Sequence, residues 1–298
     1  MKRREFTKLA SLSAVAVSTT GFILSNGKSY GGDCETTTDI LGPFYRPDSP
    51  IRNNLIIDGA LGGVVELTGI VRHKDCQTPY KNAKVELWHC SAEGIYDNKS
   101  SEFRYRGTTF CDNVGKYKFT TQMPVPYDVG TVDVRPAHFH LFISAPGYQS
   151  LITQIYFTGD PYLEIDAFSA SNRAKSRILD IIEKNGIRKV IFDCNMNDKL
   201  KASYSALDKI VGLYKNDNTG ESMELFNKDN LLWQKNDEAF GWKFDYVGDN
   251  EFEYGGLPTG WLAKLRFDLQ NNGQVKLTET SVWDGIKTRN VFTKVKEF

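Results

Sequence analysis

The chain has 298 residues, 40% hydrophobic and 25% charged, the make-up of an ordinary globular protein. Its 37 basic and 37 acidic residues balance, and the missing basic excess argues against a nucleic-acid partner. The length suggests about two domains.

The segment Lys2-Arg3-Arg4-Glu5-Phe6-Thr7-Lys8 resembles a twin-arginine export signal and runs into a Ser/Thr-diluted apolar stretch, Leu9 to Leu24. That stretch falls short of the ~20 apolar residues a membrane span requires. The mature chain is therefore expected to carry no stable membrane span and to be exported, to the periplasm or outside the cell. The alternative is an uncleaved helical anchor. Residues 1–33 are set apart as signal and spacer; without their five basic and two acidic residues the formal charge is −3. The five cysteines, Cys34, Cys76, Cys90, Cys111 and Cys194, contain no C-x-x-C pair, so neither a zinc ribbon nor a redox motif is expected. Disulfides suit an exported protein, with their pairing open and at least one thiol left over.

Residues 35–63 are irregular around Gly42-Pro43-Phe44-Tyr45-Arg46-Pro47. Val64 to Arg72 is a β-branched run and reads as a strand, and Lys84 to His89 reads as another. His89 is a rival metal ligand, but it precedes the turn at Gly94 and is taken as structural. Tyr117 and Phe119 lie on a further strand. Tyr127 follows a stiff Pro124-Val125-Pro126 run.

Arg135-Pro136-Ala137-His138-Phe139-His140 is the stretch that points to chemistry. Along a strand the side chains alternate, so His138 and His140 share one face while Phe139, Leu141 and Ile143 share the other, where a core would sit. Two imidazoles on one face are half a metal site; the alternative is a pair of idle histidines on a solvated strand. Leu151 to Phe157 is the next strand, with Gln154 on the face of Ile152 and Tyr156. Ser171 to Lys184 reads as a helix capped by Ser171, striped by Ile178, Leu179, Ile181 and Ile182, and ended by Gly186. Short strands between Gly, Pro, Asn and Asp turns predict a mainly-β chain whose first domain, residues 34–198, is a β-sandwich with one helix and long loops.

After Cys194 the texture changes. Asn195 to Ser205 is polar, and from Leu207 onward short aromatic strands recur at Leu231–Gln234, Trp242–Val247, Leu262–Leu269, Val275–Val282 and Asn290–Val295. Asn272-Gly273 and Asp284-Gly285 are tight-hairpin signals. Residues 199–298 are expected to form a small all-β meander, a barrel or a sandwich. This part holds no histidine or cysteine, so it offers no imidazole or thiolate ligand, and the first domain is expected to keep its metal and activity without it. Trp233, Trp242, Trp261 and Trp283 are expected to fill its core, as large aromatics do in small domains; the alternative is an aromatic binding face.

Six motifs stand in order from Cys34 to Cys194: W-H-C-x-A-x-G-x-Y ending at Tyr96, R-x-R-G from Arg104, D-x-x-G-x-Y-x-F-x-T from Asp112, P-x-x-Y ending at Tyr127, R-P-A-H-x-H, and T-Q-x-Y-F-x-G-D-P from Thr153. Their sequence resembles the intradiol ring-cleavage dioxygenases, which include catechol 1,2- and protocatechuate 3,4-dioxygenases. The resemblance implies a single non-haem Fe(III) per chain, with Tyr96, Tyr127, His138 and His140 as ligands. Phenolate is a hard anionic donor that favours Fe(III), whereas zinc more often takes Cys or carboxylate beside His. The implied partners are a small aromatic diol and O2, the diol opened between its hydroxyl-bearing carbons to a muconate-type dicarboxylate. In that reaction Tyr127 doubles as a proton acceptor and Arg135 stabilises charge developing on the ring. Gln154 stands behind the ligands. The G-P-F-Y run resembles the family's entrance segment, making Tyr45 a candidate substrate residue; alternatively Pro43 and Pro47 only stiffen a loop. The family resemblance does not extend to residues 199–298, and oligomerisation is open. A competing expectation is an exported β-sandwich binding module with a degenerate or different metal site, which would lack the colour of iron-bound tyrosinate.

Overall fold

The computed structural model describes residues 16–18, 21–23, 34–129, 134–198, 204–236 and 239–297. β1 (Ala16–Ser18) and β2 (Gly21–Ile23) pair with each other; the remainder of the expected export signal lies outside the described residues. Among the described residues no helix is long and apolar enough to cross a membrane.

Two sheets face each other across residues 64–195. Their strands are β3 (Val64–Arg72), β4 (Lys84–Trp88), β5 (Arg106–Phe110), β6 (Lys116–Gln122), β9 (His138–Ser144), β10 (Leu151–Phe157), β11 (Ile178–Leu179), β12 (Ile182–Lys184), β13 (Ile187–Ile191) and β14 (Cys194–Asn195). The intervening β7 (Tyr127–Asp128) and β8 (Val134–Arg135) pair with each other at one edge of the site. One sheet runs β11-β10-β9-β4-β5. In the other, β13 and β14 pair in succession along one edge of β3 and β6 pairs along the opposite edge. Strand alternation explains the layering: Val65, Leu67 and Val71 of β3 meet Val85 and Leu87 of β4 and Phe139, Leu141 and Ile143 of β9 in one buried core. The outward face of β9 and β10 is also buried, and all seven residues of β10 are inaccessible. Something must therefore cover that second face.

The cover comes from residues 38–46 and from the C-terminal part. There β15 (Gly212–Asn216), β16 (Ser222–Lys228), β17 (Leu231–Gln234), β18 (Trp242–Gly248), β19 (Glu251–Tyr254), β20 (Leu262–Leu269), β21 (Val275–Trp283) and β22 (Ile286–Lys296) close into a barrel in sequence order. β20 and β21 turn at Asn272-Gly273, and β21 and β22 turn at Asp284-Gly285, whose positive φ values of 49° and 78° suit an Asp-Gly tight turn. A short helix, α1 (Tyr204–Ile210), sends Leu207 and Ile210 into the barrel core beside Tyr214 and Leu225.

Two expectations are corrected here. Only Asn172–Arg177 is helical, as a 3-10 turn capped by Ser171, whose hydroxyl accepts from the Arg173 amide. Beyond it the isoleucine-rich residues extend, adding β11 to one sheet and β12 to the other. β-branched side chains favour that pleated setting, and two free sheet edges were within reach. The tryptophans do not all fill the barrel either. Trp242 packs against its core, but Trp233 turns outward into a cluster with Tyr45, Trp88 and Phe142 of the sandwich, and Trp261 packs edge-on against Phe168. Cys34 and Cys76 form a disulfide, while Cys90, Cys111 and Cys194 are buried free thiols.

Candidate metal centre and substrate site

The extended backbone of β9 turns His138 and His140 to the outward face, opposite Phe139 and Leu141. Their Nε2 atoms lie 3.1 Å apart. Tyr96, on the loop after β4, brings its hydroxyl 3.3 Å from one and 3.0 Å from the other. That loop turns tightly at Gly94, whose φ of +76° favours glycine and where an added Cβ would come within 3.0 Å of Tyr127 Cβ. Tyr127 meets Tyr96 edge-on with ring centroids 5.4 Å apart and pairs across β7 and β8 with Arg135. All four expected ligands are thus brought to one place.

The donor chemistry fits a cation. His138 donates through Nδ1 to the Pro136 carbonyl at 2.6 Å, which leaves a lone pair on Nε2. Burial first, then the charge of Arg135, holds His138 well below the usual imidazole range; burial and the His138 and Arg135 charges do the same for His140. Both rings are therefore neutral and able to ligate. Three donor atoms spaced 3.0–3.3 Å apart match the spacing around a first-row metal with bonds of about 2.0–2.1 Å at near-right angles. Burial raises both phenols; for Tyr127 the nearby Arg135 opposes that rise. Such phenols need a strong cation to ionise.

Arg135 is buried, not a surface residue. Its Nη2 donates to Gln154 Oε1 at 2.7 Å and to Tyr156 Oη at 3.2 Å. Its Nε lies 2.8 Å from Asp166 Oδ1, off-line for a hydrogen bond, so that contact is an ion pair. Burial alone would lower its pKa, but Tyr156 and Asp166 outweigh that and raise it. Gln154 lies opposite His140 and Tyr156 opposite His138 in the β9–β10 register. Gln154 donates onward to the Ile40 carbonyl at 2.9 Å, and Tyr156 to Asp39 Oδ2 at 3.0 Å. Asp39 in turn pairs with the buried Arg177. This polar chain fixes the guanidinium beside the donors.

Tyr45 stands elsewhere than expected. Its ring is 5.1 Å from Trp88 and stacks 5.9 Å from Trp233, and Trp88 intervenes between it and His140. The prolines aim its neighbour instead: Phe44 stacks on Tyr96 at 4.2 Å and meets Tyr127 edge-on at 6.2 Å. His89 is buried away from the donors, bonded to Thr121 Oγ1 and the Cys90 carbonyl at 2.7 Å each. Sequence reasoning missed Phe44, Trp88, Asp39 and Asp166. Alternation along β4 marks Trp88 as outward-facing, but nothing local marks the two aspartates.

The comparisons with known proteins bear on the family and the fold. The dioxygenase family model matches residues 40–197, just over half of the chain. Catechol 1,2-dioxygenase of Candida albicans is 38% identical over 157 residues, which is 45% of this chain and 51% of that protein. Hydroxyquinol 1,2-dioxygenase of Corynebacterium glutamicum is 33% identical over 181 residues, 55% of this chain and 58% of that one. The chain thus spans about half the length of the curated relatives it matches. The solved 3-chlorocatechol 1,2-dioxygenase of Rhodococcus opacus 1CP superposes with a TM-score of 0.50 at 22% identity, covering 55% of this chain and 74% of that one, which bears on the fold alone. The family match ends before the barrel begins. The sandwich, with its outward pair of histidines and its two tyrosines, is what this match covers, and on that ground the chain belongs to the intradiol ring-cleavage dioxygenase family.

Proposed function

We propose that the protein is a non-haem Fe(III) dioxygenase that opens a catechol-type ring between its two hydroxyl-bearing carbons. A diol and O2 combine into one dicarboxylic acid that keeps both oxygen atoms. The observation that carries the reading is the convergence of Tyr96, His138 and His140 at mutual distances of 3.0–3.3 Å, with the Tyr127 ring 5.4 Å from that of Tyr96. Tyr96, Tyr127, His138 and His140 would hold the iron; two phenolates offset much of its charge and limit the cost of burial. Iron held by these residues would supply a Lewis acid for the two diol oxygens and raise the reactivity of the ring toward O2.

The remaining work falls to the chain. Tyr127 accepts a proton as the diol binds, since burial raises its affinity for one. Arg135 presents a cation that cannot deprotonate, held by Gln154, Tyr156 and Asp166, to charge that develops on the ring. Such a donor needs no reorganisation at the moment of reaction. Phe44 lines the site with a flat apolar face. Catechols and hydroxyquinol, the substrates in the relatives' names, set the class. The Cys34–Cys76 disulfide and the Lys2-Arg3-Arg4 segment support export to an oxidising compartment.

Oxygen uptake by the iron-loaded protein with a panel of catechols tests this reading. Uptake equal to the diol consumed is expected. A colourless protein inert toward every diol would favour a binding role instead.

A further inference from the structure

We propose that the barrel is the outer wall of the site, and that Trp261, acting through Phe168, determines which ring substituents are accepted. The inference rests on the ring-cleavage reading and extends it to a part of the chain that the family match does not reach.

Contacts at three places carry it. Tyr254 of β19 lines a small cavity together with Thr38, Asp39 and Leu41. Two residues on, Gly256 (φ +87°) lies so close to Asp39 that an added Cβ would fall 2.0 Å from its carbonyl carbon. The barrel therefore grips the same segment that carries Phe44, Asp39 and Ile40 to the site. Farther along that segment, Trp233 stacks on Tyr45, which packs on Trp88, which stacks on His140.

The third contact differs in kind. Trp261 meets Phe168 edge-on at 5.9 Å, and the Arg135 guanidinium lies 4.7 Å over the Phe168 ring. Trp233 is almost wholly buried, whereas Phe168 and Trp261 are half-buried. They form a rim, not a core. A ring bound beside Arg135 would turn its substituents toward Phe168, and Trp261 limits how far Phe168 can swing away. Trp283, 4.9 Å from Trp261 and partly exposed, backs it from the solvent side. Trp261 is thus a positioning residue that acts through Phe168.

The test uses the full chain and two diols, catechol and 4-tert-butylcatechol, with kcat/KM for both measured on one preparation. Their ratio does not depend on the fraction of folded or loaded enzyme, so a merely structural defect leaves it unmoved. Trp261→Ala should shift the ratio toward the bulky diol by about tenfold, the scale of one apolar pocket contact. Trp261→Phe should return it most of the way. Dissociation constants of the same diols, measured without O2, should move in the same direction. If the wild-type chain opens neither ring, the ring-cleavage reading falls, and the ratio of dissociation constants decides the present inference alone. Trp261→Ala with both ratios unchanged would overturn it.

Discussion

The indole of Trp88 lies flat against the imidazole of His140, with ring centroids 4.8 Å apart and planes 10° from parallel. The two histidines of the site are therefore held by different means. His138 is fixed by its Nδ1 bond to Pro136. His140 Nδ1 is buried with no hydrogen-bond partner among the described residues, so stacking and close packing hold the ring, with a Cβ on Gly42 already limited to 3.2 Å from its Cε1.

Trp88→Leu should consequently loosen His140 more than a buried aromatic elsewhere would. Metal-orienting partners typically contribute 10–100-fold in affinity, and we expect a loss within about that range. Iron retained after chelator titration measures it. Equal retention by Trp88→Leu and wild type would mean the ring is held by other contacts.

Arg135 gives a prediction that its burial makes more specific. Removing the charge altogether leaves Asp166 buried without its cation, which costs roughly 3–5 kcal/mol of stability. Arg135→Lys keeps the charge and removes the planar fork whose Nη2 serves Gln154 and Tyr156 while its Nε faces Asp166. Turnover should fall by ~10²-fold, the scale of losing one preorganised donor, with diol binding nearly unchanged. Steady-state kinetics and diol titration without O2 separate the two. A variant with normal kcat and raised KM would make Arg135 a binding group only.

The barrel should not be dispensable. A chain ending at Lys199 exposes Leu41, Tyr45, Trp88, Phe142 and Ile152, all in the buried cluster that Leu231 and Trp233 complete. It should aggregate or lose iron. In the full chain Trp233→Ala should cost about 3–5 kcal/mol, as for other large buried aromatics. Urea denaturation checks the variant, and a soluble, iron-retaining truncation would contradict the expectation.

His89 sets a pH dependence. Burial lowers its pKa from 6.5 to about 4, so the folded chain holds it neutral while the unfolded chain protonates it below 6.5. Between these values the unfolded state binds more protons, and stability falls as pH falls. His89 should account for about 2 kcal/mol lost between pH 6.5 and pH 5. Urea midpoints of wild type and His89→Gln at both pH values test this; identical slopes would rule it out.

The face of the two histidines was legible because it rests on a short-range rule. Alternation alone puts His138 and His140 opposite Phe139 and Leu141, whereas Tyr96 and Tyr127 were named only through the family resemblance. The barrel's hairpins were legible for the same reason, through Asn272-Gly273 and Asp284-Gly285. What stayed hidden depends on distant partners. Asp39 and Asp166 earn their place only when folding brings them to Arg177 and Arg135. Ile178 to Ile182 form strands because two sheet edges accept them. For Trp233 a signal did exist: Leu231-Leu232-Trp233 is apolar without alternation, the mark of a strand buried on both faces.

The central claim is that two tyrosines and two histidines hold an iron that opens a diol ring. Mass spectrometry of the product formed under 18O2, with the visible spectrum recorded beforehand, tests it most directly. The iron-loaded chain should show a tyrosinate charge-transfer band that Tyr96→Phe alters, and should convert catechol to a dicarboxylic acid carrying both labelled atoms. A colourless iron-loaded protein, or a product carrying one labelled oxygen or none under conditions that exclude exchange with water, would contradict it.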